Sequence, residues 1–75
     1  MKELLEKIAK SLVNNPDEVN VTEVEENQSL ILELRVAEED MGKVIGKQGR
    51  IARAIRVVIK AAAIKENKRV VVEII

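Results

Sequence analysis

Gly46-Lys47-Gln48-Gly49 is the segment whose residue types and spacing suit a definite chemistry. Two glycines three positions apart can take tight backbone conformations and let another backbone approach with no β-carbon in the way. Where a helix begins just beyond such a turn, its unpaired N–H groups and the positive end of its dipole favour an anion. Lys47 projects from the turn while Lys43 and Arg50 flank it, so phosphate contact is the chemistry the segment suits. Arg53, Arg56 and Lys60 follow, which gives six basic side chains and no acid between Lys43 and Lys60. A bare GxxG is a weak pattern, and its strength here lies in its position and in that charge. Two nucleotide-binding loops are excluded, because GxGxxG is absent and Gly42 to Gln48 does not complete GxxxxGK[ST].

The whole-chain balance hides this field. The 75 residues carry 13 basic and 13 acidic side chains, yet residues 1–42 hold four basic and eleven acidic ones while residues 43–75 hold nine and two. The halves are therefore −7 and +7, a localised potential of the kind that attracts a polyanion. Cysteine, histidine and aromatic residues are all missing. Their absence excludes disulfides, the usual zinc-finger sites, thiol chemistry and histidine bases. It also excludes modules that stack bases on aromatic platforms. Glu23, Glu25, Glu26, Glu38, Glu39 and Asp40 are expected to form solvated surface, and carboxylates alone give no reason for a shifted pKa, so neither an enzyme, a metal site nor a cofactor is expected. No apolar run reaches the roughly 20 residues that span a bilayer, so the expectation is one cytoplasmic domain over residues 1–75 with no membrane partner.

Several elements must position the loop. Leu4, Leu5, Ile8, Ala9 and Leu12 fall at helical spacing in residues 2–13, and Asn14 to Asp17 stop that helix. Residues 19–25 are β-prone, but Val19 and Val21 share one parity and Val24 has the other, which implies a bulge, an irregular strand or an edge position. A turn at Glu26–Ser29 leads into the clearest strand, with Leu30, Leu32, Leu34 and Val36 on one face. Residues 38–45 predict a short helix with an acidic first turn and Met41, Val44 and Ile45 inward. Gly46 ends it. Residues 50–65 predict a long helix with Ile51, Ile55, Val58, Ile59 and Ala62 on its buried face and Arg53, Arg56 and Lys60 opposite. Residues 69–75 read as a last strand, apolar on both faces and so interior or covered.

With that order of elements, the segment MGKVIGKQG at Met41–Gly49 resembles the signature of the KH RNA-binding domains. The chain resembles their bacterial type II arrangement throughout and is similar to the small KhpA-type family, through NPDEV at Asn15–Val19, ELRVAEED at Glu33–Asp40 and GKVIGKQGR at Gly42–Arg50. The resemblance implies an α+β fold, α-β-β-α-α-β, with a three-stranded mixed sheet packed on one face by three helices. It also implies that Gly46, Lys47, Gln48 and Gly49 clamp the backbone of roughly four nucleotides of single-stranded RNA. Lys43, Arg50 and Arg53 would add backbone contacts. Val44, Ile45, Ile51, Ala52 and Ile55, with part of the strand at Leu32–Val36, would supply the aliphatic groove wall, some of them serving as core instead. Nothing in these residues selects a 2′-hydroxyl, so single-stranded DNA fits the same groove and RNA is chosen by resemblance.

Ala54, Val57, Ala61 and Ile64 form a further stripe on the long helix, read either as the edge of the core or as a homodimer seam, for which the apolar strand at 69–75 is the alternative. The resemblance adds pairing with a larger KhpB-type KH protein and a role as an RNA chaperone affecting gene expression, cell shape and cell-wall biogenesis. The competing function is a protein-interaction adaptor that keeps the fold but acts through such pairing.

Overall fold

The computed structural model describes residues 1–75. Helix α1 (Lys2–Leu12) is followed by a 3₁₀ turn at Pro16–Glu18 and strands β1 (Asn20–Glu26) and β2 (Ser29–Arg35). A helical span, Glu38–Lys65, leaves helical backbone values at Gly46, Lys47, Gln48 and Gly49, which divides it into α2 (residues 38–45) and α3 (residues 50–65). Strand β3 (Val70–Ile74) completes the chain. The sheet runs β1-β2-β3, antiparallel between the first pair and parallel between the second. This is the mixed sheet and element order of a type II KH domain.

The hairpin turns on Asn27 and Gln28, both left-handed at φ 49° and 66°. Positive φ at both positions gives a two-residue loop the twist that its strands need. Pairing then runs without a break from Glu26↔Ser29 to Asn20↔Arg35. The slip in valine parity therefore marks an edge strand and not a bulge: Val21 is buried, while Val24 lies on the other face, half-buried.

One face of the sheet holds the core. Leu5 and Ala9 of α1 and Ile55 and Ile59 of α3 pack against Val21, Leu32, Leu34 and Val72. Burying each leucine or isoleucine contributes about 1.5–3 kcal/mol, enough for an aliphatic core to order the helices on which the loop hangs. On α3 the buried face is rotated from the expected one: Ala52 and Ala63 are interior, whereas Val58 is 44% exposed. Strand β3 is an edge, covered on one side only, with Val71 at 47% exposure.

Asp40 also departs from expectation, being 1% exposed and not solvated. Its carboxylate accepts hydrogen bonds from the Asn14 and Asn15 backbone N–H groups at 3.1 and 3.0 Å and from Asn15 Nδ2 at 3.1 Å. Burial raises the pKa of the carboxyl, but those donors and the charge of Lys43 outweigh it and hold the group below its ordinary 3.8. The carboxylate thus ties the end of α1 to the first turn of α2, fixing the helix that leads into the loop.

Candidate functional site

The turn between α2 and α3 is built from one extended and three left-handed residues. Gly46 has φ −75° and ψ 178°, and Lys47, Gln48 and Gly49 follow at φ 49°, 64° and 69°. Left-handed backbone costs about 1–2 kcal/mol where a β-carbon is present, so Lys47 and Gln48 store strain in an exposed turn. Arg53, one helical turn into α3, donates from Nη2 to the Gln48 carbonyl at 3.1 Å and braces it. Arg53 is therefore part of the loop's support as well as of its charge.

The two glycines differ in what the chain requires of them. Gly49 needs its freedom because φ is +69°, although a β-carbon there would meet nothing within 4 Å. At Gly46 the backbone is one any residue adopts, and the space a β-carbon would fill is again empty. Folding alone gives no reason for a glycine at position 46.

Lys43, Lys47, Arg50, Arg53, Arg56 and Lys60 are all exposed. None of the six meets a carboxylate, the molecule's one ion pair being Lys68–Glu66 at 3.6 Å. The structure thus gathers a positive surface around the turn and along α3, offset only at Lys43, whose charge stabilises the buried Asp40 carboxylate.

The proposed apolar wall divides. Val44, Ala52, Ile55, Leu32 and Leu34 are interior, whereas Ile45, 53% exposed, and half-buried Ile51 flank the loop at the surface. Ile45 thus corrects the inward orientation expected from its spacing. The central strand's Leu32 and Leu34 belong to the core, so that part of β2 walls no groove.

What borders the open side instead is β3. A cleft of about 290 Å³ runs between α3 and this strand, lined by Arg56, Ile59, Lys60, Val70, Val71 and Val72. Leu30 N–H donates to the Arg69 carbonyl at 2.9 Å and Ile75 N–H to the Leu34 carbonyl at 3.0 Å, so odd-numbered residues of the last strand face β2. The backbone groups of Val70 and Val72 therefore point outward, toward the cleft. Arg56 Nε reaches the Val72 carbonyl at a long 3.5 Å. Sequence reading missed this wall, and the one available signal was that a final strand adjoining a basic helix had no known neighbour on its far side.

A larger hollow of about 830 Å³ lies at the other end of α3, between the hairpin and the turn before β3. Glu25, Glu26, Lys68 and Arg69 line it with opposed charges, so it offers no field to a polyanion. No three acidic side chains converge as a metal site requires, and no helix is long and apolar enough to cross a membrane.

Comparison with known proteins shows the family. A family model described as "KhpA/KhpB, KH domain" matches residues 2–74. An "RNA-binding protein KhpA" of Clostridium acetobutylicum is 80% identical over 75 residues, covering 100% of both chains. Proteins of the same description from Clostridium perfringens and Aquifex aeolicus are 73% and 52% identical over 75 residues, covering 100% of this chain and 100% and 95% of theirs. No solved structure matches the chain.

Proposed function

Because the chain belongs to the KhpA/KhpB family of KH domains, modules that bind RNA and catalyse nothing, we propose that it grips a single RNA strand by its backbone at Gly46–Gly49. The strand continues along the cleft between α3 and β3. Lys47 and the backbone of the turn hold phosphate, with Lys43, Arg50 and Arg53 completing the clamp. A bare Cα at Gly46 gives the nucleic acid the close passage that the fold itself does not need. Ile45 and Ile51 offer aliphatic contact beside the loop, and the outward backbone groups of Val70 and Val72 offer hydrogen bonds to base edges. From Gly49 to Lys60 is about 16 Å at 1.5 Å per residue, a length suited to a few nucleotides.

The observation that carries this reading is the left-handed GxxG turn beside six exposed cations with no ion-pair partner. Backbone clamping, a small aliphatic trough and a few main-chain hydrogen bonds to base edges give modest affinity and limited sequence preference. They suit a chaperone or post-transcriptional regulator that holds RNA without chemical change. Self-association through the exposed α3 stripe, or pairing of that stripe with a larger KH protein, raises the effective concentration of clamps on one strand.

Replacing Lys47 and Gln48 together by aspartate tests the clamp. Fluorescence anisotropy with a labelled single-stranded RNA should show loss of binding, with circular dichroism unchanged. With about four phosphate contacts, the wild-type log–log salt slope should be near −3. A DNA oligonucleotide of the same sequence reports any discrimination by the 2′-hydroxyl. Wild-type affinity retained by the double variant, with no salt slope, would favour the adaptor reading that the exposed stripe also supports.

A further inference from the structure

Of the side-chain hydrogen bonds in the molecule, one reaches the last strand: Arg56 Nε donates to the Val72 carbonyl across 3.5 Å, in part-buried surroundings. Each outward residue of β3 holds its N–H and its carbonyl side by side on the open edge, one donor beside one acceptor. At Val70 no side chain bonds either group, whereas at Val72 the guanidinium stands over the acceptor and leaves the donor free. The turn at residues 66–69 sends β3 back along α3. Four residues of helix rise about 6 Å and two residues of strand about 6.6 Å, so Lys60 comes level with Val70 as Arg56 does with Val72. Both cations line the cleft, but only the arginine engages the strand.

We infer that Arg56 selects bases at the Val72 position, favouring those with a carbonyl at the outer edge, uracil and guanine, over those with an amino group there, cytosine and adenine. The inference rests on the strand path proposed above. An open N–H and carbonyl pair accepts either kind, since every base carries a donor beside an acceptor. With the guanidinium over the carbonyl, the edge offers donors only. Arginine has five N–H donors and no acceptor, so the bond through Nε leaves four. The carbonyl at position 4 of uracil or position 6 of guanine has two lone pairs, enough to accept from the Val72 N–H and from Arg56 together. Guanine adds N7, completing the acceptor pair that a guanidinium matches. An amino group at the same place sets donor against donor, and the base must displace Arg56 or leave its own donor unpaired.

Lys60 exerts no such selection at Val70. Its ammonium is a point charge on a flexible stem, which attracts phosphate while leaving both backbone groups beside it open to any base. The cleft therefore has one selective position and one tolerant position. Because Arg56 is exposed, its discrimination falls at the low end for a paired base contact, about fivefold.

Fluorescence anisotropy on the full chain with labelled hexanucleotides tests this, comparing uridine with cytidine and inosine with adenosine. Within each pair the exocyclic group at the outer edge changes, and the proton on the neighbouring ring nitrogen changes with it. Wild type should bind the carbonyl-bearing oligomer about fivefold more tightly in each pair. Arg56→Met keeps the length of the side chain but neither its charge nor its donors. All four affinities should fall through the lost charge, and the ratio within each pair should drop to about one or reverse, because the Val72 carbonyl is then free. Lys60→Met removes a charge from the same cleft and should weaken all four oligomers alike, with the ratios kept. Circular dichroism should be unchanged in both variants.

A wild-type ratio near one or reversed in either pair would overturn the inference and leave the clamp standing. So would ratios that survive Arg56→Met, or that Lys60→Met moves equally far, since either result separates base preference from the arginine. Failure of the wild type to bind any hexamer removes the clamp and the selection together.

Discussion

Alanine at Gly46 and at Gly49, introduced separately, distinguishes what the chain needs from what its ligand needs. At Gly46 the backbone suits alanine and the added methyl meets nothing within 4 Å. The main effect on folding is then fewer conformations in the unfolded chain, which stabilises by about 0.4–1 kcal/mol. For a domain of this size that is a rise in Tm of roughly 2–8 °C. At Gly49 the methyl is equally unhindered but φ is +69°. Here alanine costs about 1–2 kcal/mol and Tm falls by several degrees. Without aromatic residues, helical circular dichroism is the natural probe of melting. RNA affinity should move the other way at position 46. A methyl between the turn and a phosphate removes one charge-assisted hydrogen bond, about 1.5–3 kcal/mol, or a 10- to 100-fold loss in anisotropy titrations. A Gly46→Ala protein that is more stable and binds as well as wild type would refute close approach at that residue, and one that melts lower would refute the conformational argument.

Three further outcomes are expected. Ile55→Ala, at a fully buried core position, should cost about 2–5 kcal/mol, a large share of a stability of about 4–11 kcal/mol for this length, read from urea melts. Asp40→Asn should lower Tm at pH 7, since one carboxylate serves three N–H donors. Its pKa is depressed in the folded state, so this contribution is complete above the ordinary value of 3.8 and is lost as pH falls below it. The gap in Tm between the two proteins should therefore close as pH is lowered beneath 3.8, and a gap that widened would contradict the sign. Arg53→Gln should reduce the salt slope of RNA binding by about 0.7, the loss of one phosphate contact, and should also weaken binding through the unbraced Gln48 carbonyl; an unchanged slope would leave Arg53 as a brace only.

The order of elements was legible because period and punctuation agree: Leu30, Leu32 and Leu34 alternate, Asn27-Gln28 turns, and Gly46 and Gly49 interrupt an otherwise helical run. The mixed three-stranded sheet follows from that order and the KH resemblance. The inward face of α3 was harder to read, because valine, isoleucine and alanine surround most of its circumference. Periodicity alone could not tell Val58, which is exposed, from Ala52 and Ala63, which are buried. Asp40 misled for another reason. An acid in a helix's first turn is sufficiently explained by the dipole, and its partners Asn14 and Asn15 lie 26 and 25 residues upstream. In the candidate site, the loop and its cations were visible as a charge run, whereas the division of Val44, Ile45, Ile51 and Ala52 into core and surface depends on how α2 and α3 are set against the sheet.

The missed wall at β3 shows why charge and edge belong together in this fold. A parallel edge strand reading Val70-Val71-Val72-Glu73-Ile74 presents unpaired backbone groups to any other chain, a liability that small β-containing proteins restrain with cations at the edge. Arg56 lies over the Val72 carbonyl, and Arg56 and Lys60 line the cleft beside the strand. These side chains discourage a second strand from docking, since an incoming backbone must displace them and leave their charge without water. On the path proposed above, a nucleic acid strand would meet less of that cost, because its phosphates would replace water around those cations while its base edges met the outward backbone groups. The same cations would then close the edge to protein strands and admit RNA, a reading in keeping with a basic helix beside an apolar edge in a chain of zero net charge.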